Sequence, residues 1–205
     1  MSFLLRLQSA HTAVFRMLDR LTEGWFLTTL ARFLFLLVLF DFFFNSAMTK
    51  LGDGFFGFLT LSDGAYWQIV PGMVQAAGFQ PGNVGFLGDL IVFFGTWSEI
   101  ILPILIVAGL FTRLSAIGMI GFIVVMTWVD LSHGTLTPEA IGTFFDPKAD
   151  GLWDRRVLWV FLLLVLAVKG PGPLSLDRLF GWLLRRRVAS QRSQPAAVTM
   201  EEPSH

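Results

Sequence analysis

Two apolar runs, 85–111 and 114–131, are separated only by Thr112-Arg113. A break that short makes two helices antiparallel neighbours. Each run is long enough for a hydrocarbon core, which takes roughly 17–25 residues. Inside the first run stand an acid, Glu99, and a proline, Pro103. In water a buried acid on such a helix has no clear purpose. In a bilayer it is costly enough to demand a reason.

Composition points the same way. Of 205 residues, 54% are hydrophobic and 15% are charged, and the aromatic share equals the charged share. Twenty-two phenylalanines are more than a soluble domain of this length hides in its core. Net charge is zero, so no overall field favours nucleic acid as a partner. Cysteine is absent, which rules out disulfides, thiol relays, iron–sulfur ligation and c-type haem attachment within the chain.

The remaining segments fall around the central hairpin. Residues 1–24 form an amphipathic helix with Arg6, Arg16 and Arg20 on its polar side, suited to the membrane interface. A first span covers about 25–49 and carries Arg32 and Asp41. Between 50 and 84 the glycines and a short greasy helix over 65–77 suggest an outer segment at headgroup depth. Ser115, Gly118 and Gly121 on the third span make a strip of small residues for close helix contact. After an acidic segment with Glu139, Asp146, Asp150 and Asp154, a fourth span over 155–169 falls short of the ~30 Å core. Arg155 and Arg156 then snorkel outward, or the bilayer thins. Lys169-Gly170-Pro171 breaks the chain. Ser175 caps a last amphipathic helix in 171–187, whose basic side holds Arg178, Arg185, Arg186 and Arg187. Residues 188–205 read as disordered.

The expected fold is therefore all-α, an integral membrane four-helix bundle over 25–170 with an interfacial helix at each flank. Lys and Arg concentrate on the elbow side, which by the positive-inside rule places both termini and the Thr112-Arg113 elbow in the cytoplasm.

The charges inside the spans are the candidate site: Glu99, Arg32, Asp41, Asn45, Trp97 and Lys50. Antiparallel packing brings Asp41 and Glu99 to similar depths, and Asn45 shares the face of Asp41. One reading is architectural, an Arg32–Glu99 or Lys50–Asp41 pair that holds helices together. The other is a polar pocket that takes a lipophilic head group, walled by rings such as Phe42, Phe93, Trp128 and Trp159. Asp130 and His133 share a helical face as a solvated interfacial pair. There is no phosphate loop, catalytic triad or zinc spacing, so no independent catalytic motif and no metal ligand set are expected.

The chain resembles the DoxX family of small bacterial membrane proteins. The resemblance rests on Ala31-Arg32, Lys50-Leu51, Glu99, the elbow Gly109-Leu110-Phe111-Thr112-Arg113, and Gly170-Pro171-Gly172-Pro173-Leu174-Ser175-Leu176-Asp177. It departs from the family in its first helix, where phenylalanines and Asp41 stand in place of glycines, and in its longer outer segments. The resemblance implies a four-helix membrane fold in the bacterial inner membrane. Relatives include small subunits of a thiosulfate:quinone oxidoreductase, and other members accompany redox partners. The expectation is an accessory or anchoring subunit of a quinone-linked complex, with membrane lipids and other membrane or redox subunits as partners. No cofactor is assigned, and quinone is left open. The alternatives are non-enzymatic binding or transport of a small lipophilic molecule, and a purely structural subunit.

Overall fold

The computed structural model describes residues 2–22, 25–52, 54, 56–133, 141–144 and 151–192. The acids Glu139, Asp146 and Asp150, with Lys148, lie outside the described residues, as do 193–205 and the side chain of Arg187. Among the described residues the long elements are all helices. They are α1 (Ser2–Thr22), α2 (Phe26–Met48), α3 (Asp63–Ile69), α4 (Pro71–Ala76), α5 (Phe86–Ala108), α6 (Thr112–Ser132), α7 (Leu152–Lys169) and α8 (Leu176–Arg192). Three of these, α2, α5 and α6, are long and apolar enough to cross a membrane.

Helix α2 holds a π turn at Leu36–Phe40. Its buried residues, Ala31, Phe35, Leu39, Phe43 and Ala47, recur every four positions. On an ordinary helix that spacing drifts by about 40° per step. The wider π turn takes back part of the drift and keeps the stripe on one side. That side packs on α5 and α7. The opposite side, with Leu37 and Val38, is exposed.

Helices α5 and α6 pack as the short elbow requires. The contact runs through buried Ser115 and through Gly118, where a Cβ would come within 3.3 Å of Leu102. A Cβ on Gly121 would meet nothing, so that glycine is no part of the contact. Helix α5 ends earlier than the hydrophobic run suggests, at Ala108, on Gly109 with φ 70°. A left-handed glycine there ends a helix at no steric cost.

Helix α7 lies against α6 and α2. It begins at Leu152, three residues before the expected start, and its 18 residues span about 27 Å. The core of the packed helices joins Phe35, Leu39 and Phe43 of α2 to Ile106, Met119, Ile123, Leu163 and Leu166. Around it Phe94, Val124, Val125 and Phe161 are exposed. An outward apolar surface of this kind is what a lipid environment accommodates.

The outer segment differs from the single helix expected over 65–77. Val70 leaves the helical region, with φ −129° and ψ 50°, and splits it into α3 and α4. The cause is Pro71, whose ring disfavours helical geometry in the residue before it. Ala65, Val70, Val74 and Val92 form a second small core beneath the pair.

Candidate functional site

Two polar centres stand at opposite ends of the packed helices. The first is a clasp at the elbow. Arg32 donates to the carbonyls of Ile106 (3.2 Å) and Pro171 (3.1 Å), and also to those of Val107 and Leu174. The rigid fork of a guanidinium carries enough donors to serve all of them. Ile106 and Val107 belong to the last turn of α5, the negative end of its dipole. Asp177 completes the clasp from the other side. Its carboxylate accepts from the Phe111 and Thr112 amides at 2.8 and 3.1 Å, capping α6, and from Thr112 Oγ1 at 3.3 Å. Ser175 caps α8 through a bond from the Arg178 amide, as its position suggested. Gly109 has no room for a side chain, since a Cβ would lie 2.7 Å from Ser175 and 2.9 Å from Arg32. Of the elbow residues, Thr112 is buried and Arg113 is exposed beside Gly170.

The second centre is a cavity of about 360 Å³ at the Lys50 end. Two ion pairs face it. Lys50 Nζ donates to Glu99 at 2.9 and 2.7 Å and to Ser46 Oγ at 2.6 Å. Both side chains of that pair are at most 5% exposed. Arg156 donates through Nη2 to Asp130. Phe42, Phe122, Val125, Met126 and Val129 form apolar walls, and Trp67, Gln68 and Ile69 of α3 line the side toward the outer segment.

Local sequence explains how Glu99 comes to be there. It lies on the face of α5 shared by Val92, Thr96, Pro103 and Ile106, all buried. Pro103 has no amide proton, so the Glu99 carbonyl loses its usual helical donor. Glu99 thus stands where the helix is already weakened. Lys50 is placed by the chain beyond α2. Its carbonyl accepts from the Ser62 amide, and Leu51 bridges to Leu61.

Among the described residues the cavity's charges balance, but its hydrogen bonds do not. Arg156 is 8% exposed, and among the described residues its Nε and Nη1 have no acceptor. A buried donor left unmade costs about 1–3 kcal/mol. The centre therefore holds two fixed carboxylates, two fixed cations and idle donors on one of them.

The expected site residues separate between these centres. Glu99 and Lys50 come together at the cavity. Arg32 does not approach Glu99, because the α5 carbonyls at the elbow claim its guanidinium. Lys50 pairs with Glu99 and not with Asp41. Asp41 and Asn45 do share a face, but it is the exposed face of α2. The π turn sets that rotation, and no residue pattern announces it. Trp97 does not line the cavity; its Nε1 is buried without a partner and its ring lies against Phe93. Arg156 turns inward, away from the expected snorkelling path. It pairs with Asp130, and the ring of His133 lies close against Gly72 of α4. Among the described residues no group of His, Asp and Glu could hold a metal ion.

Sequence reasoning missed Asp130, Arg156, Ser46 and the α3 residues. A signal for the Asp130–Arg156 pair was present. The two lie near the same end of consecutive antiparallel helices, and their opposite charges invite pairing.

The DoxX family pattern matches residues 27–130, which takes in α2, α5 and almost all of α6. No curated protein and no solved structure matches the chain. The match covers just over half of the 205 residues and holds Arg32, Lys50, Glu99 and the elbow, so this multi-span membrane protein belongs to the DoxX family.

Proposed function

We propose that the chain is a membrane subunit that holds the polar head of a lipophilic molecule in the cavity between the two ion pairs. In this reading it is an accessory or anchoring subunit of a quinone-linked redox complex in the bacterial inner membrane. Helix α7 serves as a fourth span, and α1 and α8 lie in the interface with both termini in the cytoplasm. The uncovered greasy residues of both flanking helices, among them Phe15, Leu18, Leu179 and Phe180, support their interfacial placement.

The observation that carries the reading is Arg156. A cation buried among apolar walls, with two nitrogens lacking acceptors, suits an oxygen-bearing ligand. Among the described residues no cluster could hold a metal ion, and in this reading any electron comes from a partner or from quinone itself.

The test is a decylubiquinone titration of the purified chain in nanodiscs, followed by tryptophan quenching, since Trp67 lines the cavity. Saturable quenching is expected, weakened about ten-fold or more by Arg156→Gln, the loss of one charged hydrogen bond. Absence of saturable quenching would refute the head-group reading.

A second reading rests on the completeness of the Lys50–Glu99 pair. Lys50 spends its protons on Glu99 and Ser46. A pair so satisfied also suits a purely structural subunit. In that case Arg156→Gln lowers thermal stability and no ligand effect exists.

A further inference from the structure

Arg156 lines two spaces at once. On one side is the polar cavity. On the other is an apolar groove of about 540 Å³ between α6 and α7. Its lining includes Ile123, Trp128, Val157, Val160, Phe161 and Leu164. Trp128, Val157, Phe161 and Leu164 are exposed, so the groove opens on the outer surface of the packed helices. On a span-forming helix such as α6 that surface meets acyl chains.

We infer that the ligand is an amphiphile that enters sideways from the bilayer, with its head oxygens at Arg156 and its tail along the α6–α7 groove. This rests on the head-group reading of the cavity. Three observations converge on it. The Arg156 side chain is 9% exposed and stands between the two spaces, with Nε and Nη1 unspent. The groove beyond it is lined almost entirely by apolar residues, with Thr127 as the exception besides Arg156. Among the described residues the charges lining the cavity balance, with Lys50 against Glu99 and Arg156 against Asp130. A neutral head with carbonyl oxygens therefore fits better than a phosphate, which would bring uncompensated charge into a buried site.

The groove adds little binding energy, since lipid chains are as apolar as its lining. Its role is steric. It gives the tail a place while the head is inside. Blocking it forces the tail into packed protein and leaves a tailless head unaffected.

The experiment compares decylubiquinone with its tailless parent, dimethoxymethylbenzoquinone, by tryptophan quenching of the full chain in nanodiscs. The groove is filled by Val124→Trp together with Val157→Trp. Both residues are exposed, so the packed core is untouched. Each variant is read against its own starting fluorescence, and its thermal unfolding is checked. The expected result is a loss of decylubiquinone affinity of about ten-fold or more, with the tailless ring bound within about two-fold of the unmodified chain. If decylubiquinone binds the filled protein as well as the unmodified one, the sideways route is wrong and the head-group site stands. If neither quinone binds the unmodified chain, both proposals fall.

Discussion

Lys50 and Glu99 form a buried ion pair that joins the end of the first span to the middle of the second. The chain between them runs through α3 and α4, so the pair closes a long loop over the cavity. Removing one member of a buried pair strands the other charge, which typically costs about 3–5 kcal/mol. Lys50→Met and Glu99→Gln are each expected to lower the melting temperature in detergent. The double variant Lys50→Met with Glu99→Leu should recover much of the loss, because no charge is left unpaired. A double variant less stable than either single one would show that the pair holds the helices by more than charge balance.

The elbow clasp makes a sharper demand on residue type. Arg32→Lys keeps the charge, but an ammonium cannot reach carbonyls on α5 and on the 171–174 turn together. Hydrogen bonds to a charged group contribute about 1.5–3 kcal/mol each, so the loss should appear as a clear drop in thermal midpoint. Gly109→Ala is expected to act in the same direction, since it adds left-handed strain to a clash with Ser175 and Arg32. If Gly109→Ala unfolds at the temperature of the unmodified chain, the clasp is looser than these distances imply.

Helix α8 tests the membrane placement of the flank. Arg186 covers the ring of Trp182 at 3.7 Å, and both residues are exposed. Arg178 and Arg185 are exposed as well. Each basic residue near an anionic surface is worth about 1 kcal/mol. Changing Arg185, Arg186 and Arg187 together to Ser should therefore weaken capture of the protein's detergent micelles by phosphatidylglycerol vesicles. The effect should fade as salt is raised. Equal capture of variant and unmodified chain would remove α8 from the interface.

Much of this architecture was legible in the residues because a bilayer imposes long apolar runs. The spans of α2, α5 and α6, the elbow and the Ser175 cap all follow from length, hydropathy and turn chemistry. The residues of the family resemblance were also readable, but not what they do together. Arg32, Gly109 and the Gly170–Asp177 segment prove to be parts of one clasp. No local pattern could say that Arg32 would be claimed by main-chain carbonyls, because carbonyls carry no signature in sequence. The π turn at Leu36–Phe40 was invisible for a related reason. Its residues, Leu36-Leu37-Val38-Leu39-Phe40, suit an α-helix equally well. With it went the rotation of Asp41 and Asn45 onto the outer face. The Asp130–Arg156 pair is not announced by hydropathy, because an arginine at the end of a short span can equally snorkel outward or sit in a thinned bilayer.

Tyr66 offers a test that needs no ligand. It is the chain's one tyrosine, so phenolate absorbance reports on it alone. Its hydroxyl donates to Asp89 at 2.8 Å, tying α3 to the first turn of α5. Burial pushes its pKa up to about 12, helped by the bond to Asp89 and by the negative charges of Asp89 and Asp63. The folded chain therefore holds this proton more tightly than the unfolded chain, whose tyrosine titrates near ~10. The resulting stabilisation is complete below about pH 10 and is lost as pH rises from there toward 12. A spectrophotometric titration of the folded protein should show a midpoint near 12, and Asp89→Asn should move it part of the way toward 10. A midpoint of about 10 in the unmodified, folded chain would mean that Tyr66 is open to water and that α3 does not rest on α5 as described.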